Sequence, residues 1–454
     1  MIRRKVGIDM FQFSINRDEC PQDREMKINI RRAVRAVIFY RGKLLMVKTS
    51  AGDYKFPGGG VYDREDKKFA LVREIQEETG YTNVTVGPCV GKATEQNIDI
   101  FDQNAIFRME SSYYLCLLNS LEQVEQSLEQ YEKDMEFQPV FVAVEEAYAA
   151  NKKLLDEAGN QVLNLADIKI KDWVDRETEA LKFIKESYVD KLLSGILECG
   201  LLMKNADRSV LMVDDKAGHA NFVTNYDKKI QEELAKRLLS IYPGARFIGE
   251  EEATCESSQT GFQTENDDMP SKRDIQDYSE YAFIVDPIDG TTNFMKDYKQ
   301  SCISVGLTKN GEQVAGIVYQ PYAEEMFCAE KGKGAYLNGE KIHVSNNDME
   351  HALVAFGTAP YYEELRKESF AKAELFCGRC IDVRRSGSAA IDLCNVAAGR
   401  TDLYFEYRIC PWDIAAGSLI VTEAGGMISQ IDGSDITLED KCSILATNGV
   451  TYML

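Results

Sequence analysis

The chain has 454 residues, 44% of them hydrophobic, and a formal net charge of −21. That length suits two or three domains with buried cores. The acid excess and the lack of a Lys/Arg-rich block argue against a nucleic-acid polymer as partner, because such binding rests on cations that neutralise phosphates. No run of eighteen apolar residues occurs, so no membrane span is expected.

The start, Met1-Ile2-Arg3-Arg4-Lys5, is basic, but Asp9 and Asn16 to Glu19 interrupt any apolar core, so no signal peptide is expected. Residues 1–27 are polar and read as an arm. Ala33 to Phe39 and Leu44 to Val47, around Arg41-Gly42, predict a β-hairpin. A Gly-rich loop at 58–60 and a Glu-rich helix follow. Ser111–Leu118 and Val140–Val144 read as strands, and Glu145–Leu155 as a helix. Trp173–Lys204 is helical in pattern, with Gly195 and Gly200 as its only breakers, so the junction near 185 is expected to be helical and semi-rigid.

Thr224–Ile241 reads as a helix with Thr224 as N-cap, Asp227 in its first turn and Pro243-Gly244 as its stop. Residues 254–279 read as an exposed polar loop. Ala282–Val285 is a buried strand that ends in Asp286 and Asp289, around a Pro turn, and Gly290-Thr291-Thr292 open a helix. Two antiparallel strands are expected around Asn310-Gly311.

Twelve cysteines lie scattered; Cys116, Cys199 and Cys394 sit in apolar runs, as thiols of a reducing cytoplasm would. Cys377 and Cys380 have redox or zinc spacing, but no second pair or nearby His completes a zinc site. The three histidines, His219, His343 and His351, fall in no motif, which argues against His-based general base chemistry.

Two stretches carry chemistry. At 282–294 the strand end offers carboxylates to a hard cation such as Mg²⁺, and the helix start offers free N–H groups to a phosphate. At 73–78, Glu74, Glu77 and Glu78 stand at i, i+3 and i+4, so three acids share one helix face and repel unless cations hold them. Arg73 stands four residues before Glu77.

The Asp286–Phe294 stretch, Gly249-Glu250-Glu251, Glu406 after Leu403-Tyr404-Phe405, and Trp412-Asp413 before Ile414–Gly417 together resemble the inositol monophosphatase family over about residues 187–454. Gly59, Glu65 and Arg73-Glu74-Ile75-Gln76-Glu77-Glu78-Thr79-Gly80 resemble the Nudix box, over about residues 28–185, with Tyr81 where that family has an aliphatic residue. The implied architecture is α/β (α+β): an α/β/α Nudix sandwich at 1–185, then a layered αβαβα sandwich at 186–454.

The resemblance implies metal ligands Glu250, Asp286, Asp289, Asp413 and the Ile288 carbonyl in the second half, with Glu251 behind them. It implies Glu74, Glu77, Glu78 and the Gly59 carbonyl in the first, Glu77 and Glu78 being counted as catalytic too. The cofactors would be two or more Mg²⁺ in the phosphatase site and one or more Mg²⁺ or Mn²⁺ in the Nudix site. Thr291 and Asp227 would activate water beside Glu250, with Lys216 nearby, and Glu136 could be an assisting loop carboxylate. Asp289, Gly290, Thr291, Thr292, Ser388, Ala389, Glu406 and Asp413 would bind substrate.

The implied function is a bifunctional hydrolase. One half would hydrolyse an inositol-1-phosphate type of monoester, the other a nucleoside diphosphate-linked compound. Small phosphorylated metabolites, and a homodimer through the second half, are the expected partners. Alternatives are a 3′,5′-bisphosphate nucleotidase or fructose-1,6-bisphosphatase in the second half, or a Nudix domain that only senses a nucleotide and regulates.

Overall fold

The computed structural model describes residues 2–3, 11–17, 26–40, 42–158, 165–215, 222–251, 279–360 and 362–452. They form two compact units, Met1–Ser194 and Gly195–Leu454. The loop expected at 254–279 lies almost wholly outside the described residues, and Lys216 lies outside them too.

The first unit is built on an eight-stranded sheet. Lys27–Tyr40 and Lys43–Lys48 form the expected hairpin, with Phe39 opposite Leu44. Lys27–Tyr40 also runs parallel to Ala105–Leu118 over most of its length. Helices cover both faces of its second half, which is why that half reads as a nearly continuous apolar run. Helix Lys67–Thr79 packs Ala70, Leu71 and Ile75 on Val34, Ala36 and Ile38. Helix Leu165–Glu186 lies on the other face, where Phe183 stacks on Phe13 and Arg35 faces Glu177. This is the expected sandwich. Tyr81 is buried beside Phe141 in the first of these layers.

Two expectations are corrected here. Within the arm, Phe11–Asn16 is a strand parallel to Val84–Ile98, because Phe13 and Ile15 alternate inward from a polar stretch. The long helix is two helices, Leu165–Glu186 and Val189–Lys204, divided at Ser187-Tyr188. Gly195 and Gly200 do not break the second. They let neighbours approach, since a Cβ at Gly200 would run into the Tyr319 ring.

The second unit stacks five layers. Its seven-stranded sheet includes Arg246–Gly249, Tyr281–Asp289, Cys302–Lys309 and Glu312–Gln320, the last two forming the hairpin around Asn310-Gly311. Its five-stranded sheet is centred on Leu403–Ile409. Helices Ala389–Ala397 and Gly417–Glu423 lie between the sheets, in a core that runs from Val318 and Phe327 to Tyr404 and Ile444. Helix Asn225–Ile241 covers the outer face of the first sheet, and Glu363–Cys377 that of the second. Gly306 and Gly316 are required where Ala415 and Ala416 press on the sheet, since a Cβ there would meet their backbone.

Candidate functional site

Strand Tyr281–Asp289 lies between Arg246–Gly249, parallel, and Cys302–Lys309, antiparallel. Gly249 pairs with Val285, so Glu250 emerges at the end where Asp286 begins. The antiparallel register then slips between Asp286 and Asp289. This irregularity re-aims side chains at the strand end, and Asp286 turns back to accept the Ile288 N–H at 2.9 Å. Gly290, at φ 87°, turns the chain into helix Thr291–Met295. A side chain there would be strained, because only Gly adopts that region freely.

Asp413 comes from the far side, in the short helix Pro411–Ile414, where it accepts the Cys410 N–H at 3.0 Å. Carboxylate oxygens of Asp286, Asp289 and Asp413 lie within 4.8 Å of one another. Burial, and then the neighbouring carboxylates, push Asp286 and Asp413 well above the usual range. Burial raises Asp289 to about 6, against the lowering effect of the Ser388 hydroxyl. Glu250 adds to the repulsion on all three. Buried anions facing one another need a cation, and all-oxygen donors suit a hard divalent one. The cluster fits Mg²⁺.

Thr291 Oγ lies 3.2 Å from Asp227 Oδ1 and 3.1 Å from the Ile288 carbonyl. Asp227 Oδ2 accepts the Thr224 N–H, so this carboxylate both caps its helix and holds Thr291. Burial pushes Asp227 up to about 6. Glu406 stands apart in the five-stranded sheet, accepting the Ala359 N–H at 2.9 Å and the Tyr404 hydroxyl at 2.8 Å. Burial raises its carboxyl. Ala359 holds a φ of 39°, a strained value for a residue other than Gly.

Ser388, expected among the substrate-binding residues, touches an acid of the cluster. Its hydroxyl is buried and donates to Asp289 Oδ2 at 2.7 Å, where the Ala390 N–H also donates at 2.7 Å. It therefore orients an acid of the cluster, while Ala389 remains partly exposed.

The acids of the first unit are held in another manner. Arg73 bonds Glu65 at 3.1 Å, Glu74 at 2.8 Å and Glu77 at 3.1 Å. Glu78 is fully buried, accepting Lys55 Nζ at 2.5 Å on one oxygen and the Gly58 N–H at 2.9 Å on the other. Gly59 lies directly against Glu74, and its carbonyl accepts the Val34 N–H at 3.0 Å. The donor set suits a divalent cation, and Lys55 and Arg73 already offset part of its charge. Glu136 is exposed at φ 53°, with no bond to the box acids among the described residues. No local pattern marks Lys55, because a lysine in a two-residue strand carries no periodic signal.

Residues 186–454 match the Inositol monophosphatase family, and residues 29–164 match the NUDIX domain. This chain belongs to the inositol monophosphatase family. Inositol monophosphatase 2 of Solanum lycopersicum is 34% identical over 266 residues, 58% of this chain and 94% of that protein. Nus factor SuhB of Xylella fastidiosa is 34% identical over 239 residues, 50% of this chain and 78% of that one. The crystal structure of the extragenic suppressor protein suhB from Bartonella henselae superposes with a TM-score of 0.50 at 30% identity, covering 58% of this chain and 94% of that one.

This inositol monophosphatase family member thus carries a NUDIX domain ahead of its phosphatase domain, in the expected order. Both families use divalent metals, which accords with the buried acids. No helix among the described residues is long and apolar enough to cross a membrane.

Proposed function

We propose that the chain is a bifunctional hydrolase. Residues 186–454 would be a Mg²⁺-dependent phosphomonoesterase of the inositol-1-phosphate type, and residues 1–185 a diphosphatase for a nucleoside diphosphate-linked compound. The observation that carries the reading is the triad of buried Asp286 and Asp289 and half-buried Asp413 beside the Thr291–Asp227 pair.

In this reading Asp286, Asp289, Asp413, Glu250 and the Ile288 carbonyl hold two or more Mg²⁺, which would acidify water and screen the phosphate charge. Thr291 orients the attacking water through its hydroxyl, and Asp227 takes the proton that a threonine alone cannot hold. The N–H groups of Gly290, Thr291 and Thr292, at a helix start, face the phosphoryl oxygens. Glu406, locked by Ala359 and Tyr404, keeps lone pairs for hydroxyls of the leaving alcohol. That suits a polyol better than an alkyl or aryl group.

The names of several relatives, among them Inositol-1-monophosphatase of Bacillus subtilis, support inositol phosphate as the substrate. In the NUDIX half, Glu74, Glu77, Glu78 and the Gly59 carbonyl would hold Mg²⁺ or Mn²⁺. A homodimer through the phosphatase domain is also proposed, and light scattering of the purified chain would check it.

The experiment is product analysis with Mg²⁺ on a panel of phosphomonoesters and nucleoside diphosphate derivatives. Release of phosphate from inositol 1-phosphate well above that from adenosine 3′,5′-bisphosphate or fructose 1,6-bisphosphate supports the phosphatase assignment. The reverse order overturns it. No cleavage of any diphosphate would remove the diphosphatase.

A further inference from the structure

Lys55 is only 3% exposed. A buried ammonium is costly unless it is paired, and this one is paired twice over. Its Nζ lies 2.5 Å from Glu78 Oε1. The same ammonium sits 4.6 Å from the centre of the Phe137 ring and 5.1 Å from that of Trp173, within the range in which aromatic faces attract cations. Its backbone is fixed as well. Lys55 pairs with Val47 in the sheet, and Asn151 brackets the preceding Tyr54 with bonds of 2.8 Å to both its N–H and its carbonyl. Trp173 is anchored in turn by a 2.7 Å bond from its indole N–H to Asp53.

The other oxygen of Glu78 accepts the Gly58 N–H at 2.9 Å, so both oxygens of this acid are engaged by the protein. We infer that Lys55 is a built-in competitor for the divalent metal at Glu78. Its ammonium neutralises the acid while the metal is away and must yield when a metal is bound. The inference rests on the proposed diphosphatase reading of Glu74, Glu77 and Glu78, and goes beyond it by assigning the strength of metal binding to a residue outside the motif. Lys55 is a positioning residue here, because it acts through Glu78.

Arg73 does not play the same part. It is shared among Glu65, Glu74, Glu77 and the Gly60 carbonyl, so yielding one acid leaves it three partners. Lys55 has no other acid among its described bonds, so yielding Glu78 leaves it only the rings. Holding Lys55 beside the acid therefore lowers the metal affinity of the site. Removing the charge while keeping the stem against the rings should raise it.

The test is Mn²⁺ binding, counted by electron paramagnetic resonance on the full chain at one fixed pH. All proteins carry Asp289→Asn to weaken the phosphatase site. Lys55→Met should tighten Mn²⁺ binding roughly tenfold or more, since a buried carboxylate without its ammonium attracts a dication strongly. Lys55→Arg, which keeps the charge, should bind as the parent does. An unchanged or weakened affinity in Lys55→Met, with Mn²⁺ binding lost in Glu74→Gln, would overturn the competition and leave the diphosphatase reading standing. Mn²⁺ binding that Glu74→Gln does not alter would overturn both. If Lys55→Met unfolds without metal, recovery of its circular dichroism on adding Mn²⁺ supports the inference, and no recovery counts against it.

Discussion

In the phosphatase unit, Asp286, Asp289 and Asp413 face one another, and among the described residues their other bonds come from neutral N–H, hydroxyl and thiol donors. In the NUDIX unit, Glu74 and Glu77 share a guanidinium and Glu78 has an ammonium. Both groups of acids suit a divalent cation, but among the described residues only the second carries cations of its own. Neutral donors leave mutual repulsion in place, so the first cluster is primed for metal and is electrostatically unfavourable without it. Protein cations relieve the repulsion in the second, so it folds comfortably while empty and gives up some affinity in return.

The largest effect expected from this contrast is on catalysis. Asp289→Asn should lower phosphomonoesterase turnover by several kcal/mol, roughly a thousandfold. Near-normal turnover at saturating Mg²⁺ would break the assignment. Glu77→Gln should remove diphosphatase activity and spare the phosphatase, because each unit carries its own group of acids. A parallel fall in both activities, with the fold intact, would mean that the sites are coupled.

Next comes Asp227. Only its ionised form takes a proton, and burial sets its pKa at about 6. Phosphatase turnover should therefore decline as pH falls through about 6 and level off above it. Asp227→Asn should lose about a hundredfold or more of the rate, together with that acidic limb. A variant that keeps the limb would assign it to another group.

Metal-free stability sharpens the comparison directly. Asp286→Asn removes one of three repelling carboxylates and should raise the melting temperature of the metal-free chain at pH 8. Glu78→Gln strips Lys55 of its partner and should lower it, at a cost in stability that can reach about 3 kcal/mol. Shifts of the same sign in both variants would erase the distinction between the clusters.

Smallest is the effect of Ser388→Ala. Losing a charge-assisted hydrogen bond of about 1.5–3 kcal/mol should raise the Mg²⁺ concentration needed for half activity more than it lowers the maximal rate. A change in substrate KM alone would return Ser388 to direct substrate binding.

Much of this protein was legible as sequence. Carboxylates around Pro287 at the end of an apolar strand, and acids at i, i+3 and i+4 on one helix, are local patterns, and local geometry determined which side chains could act together. The hairpin at Phe39–Leu44, the capped helix after Thr224 and the order of the two domains were readable for the same reason. Contacts between distant segments were not. Phe13 and Ile15 look like part of a polar arm until a parallel neighbour takes them into the sheet. Gly195 and Gly200 look like helix breakers until an adjoining side chain explains the missing Cβ. Ser388 meets Asp289 across 99 residues and Lys55 meets Glu78 across 23. Such pairings leave no periodic trace in the chain. They exist because folding excludes water from one small volume, and each buried charge there must find whatever partner the tertiary structure brings to it.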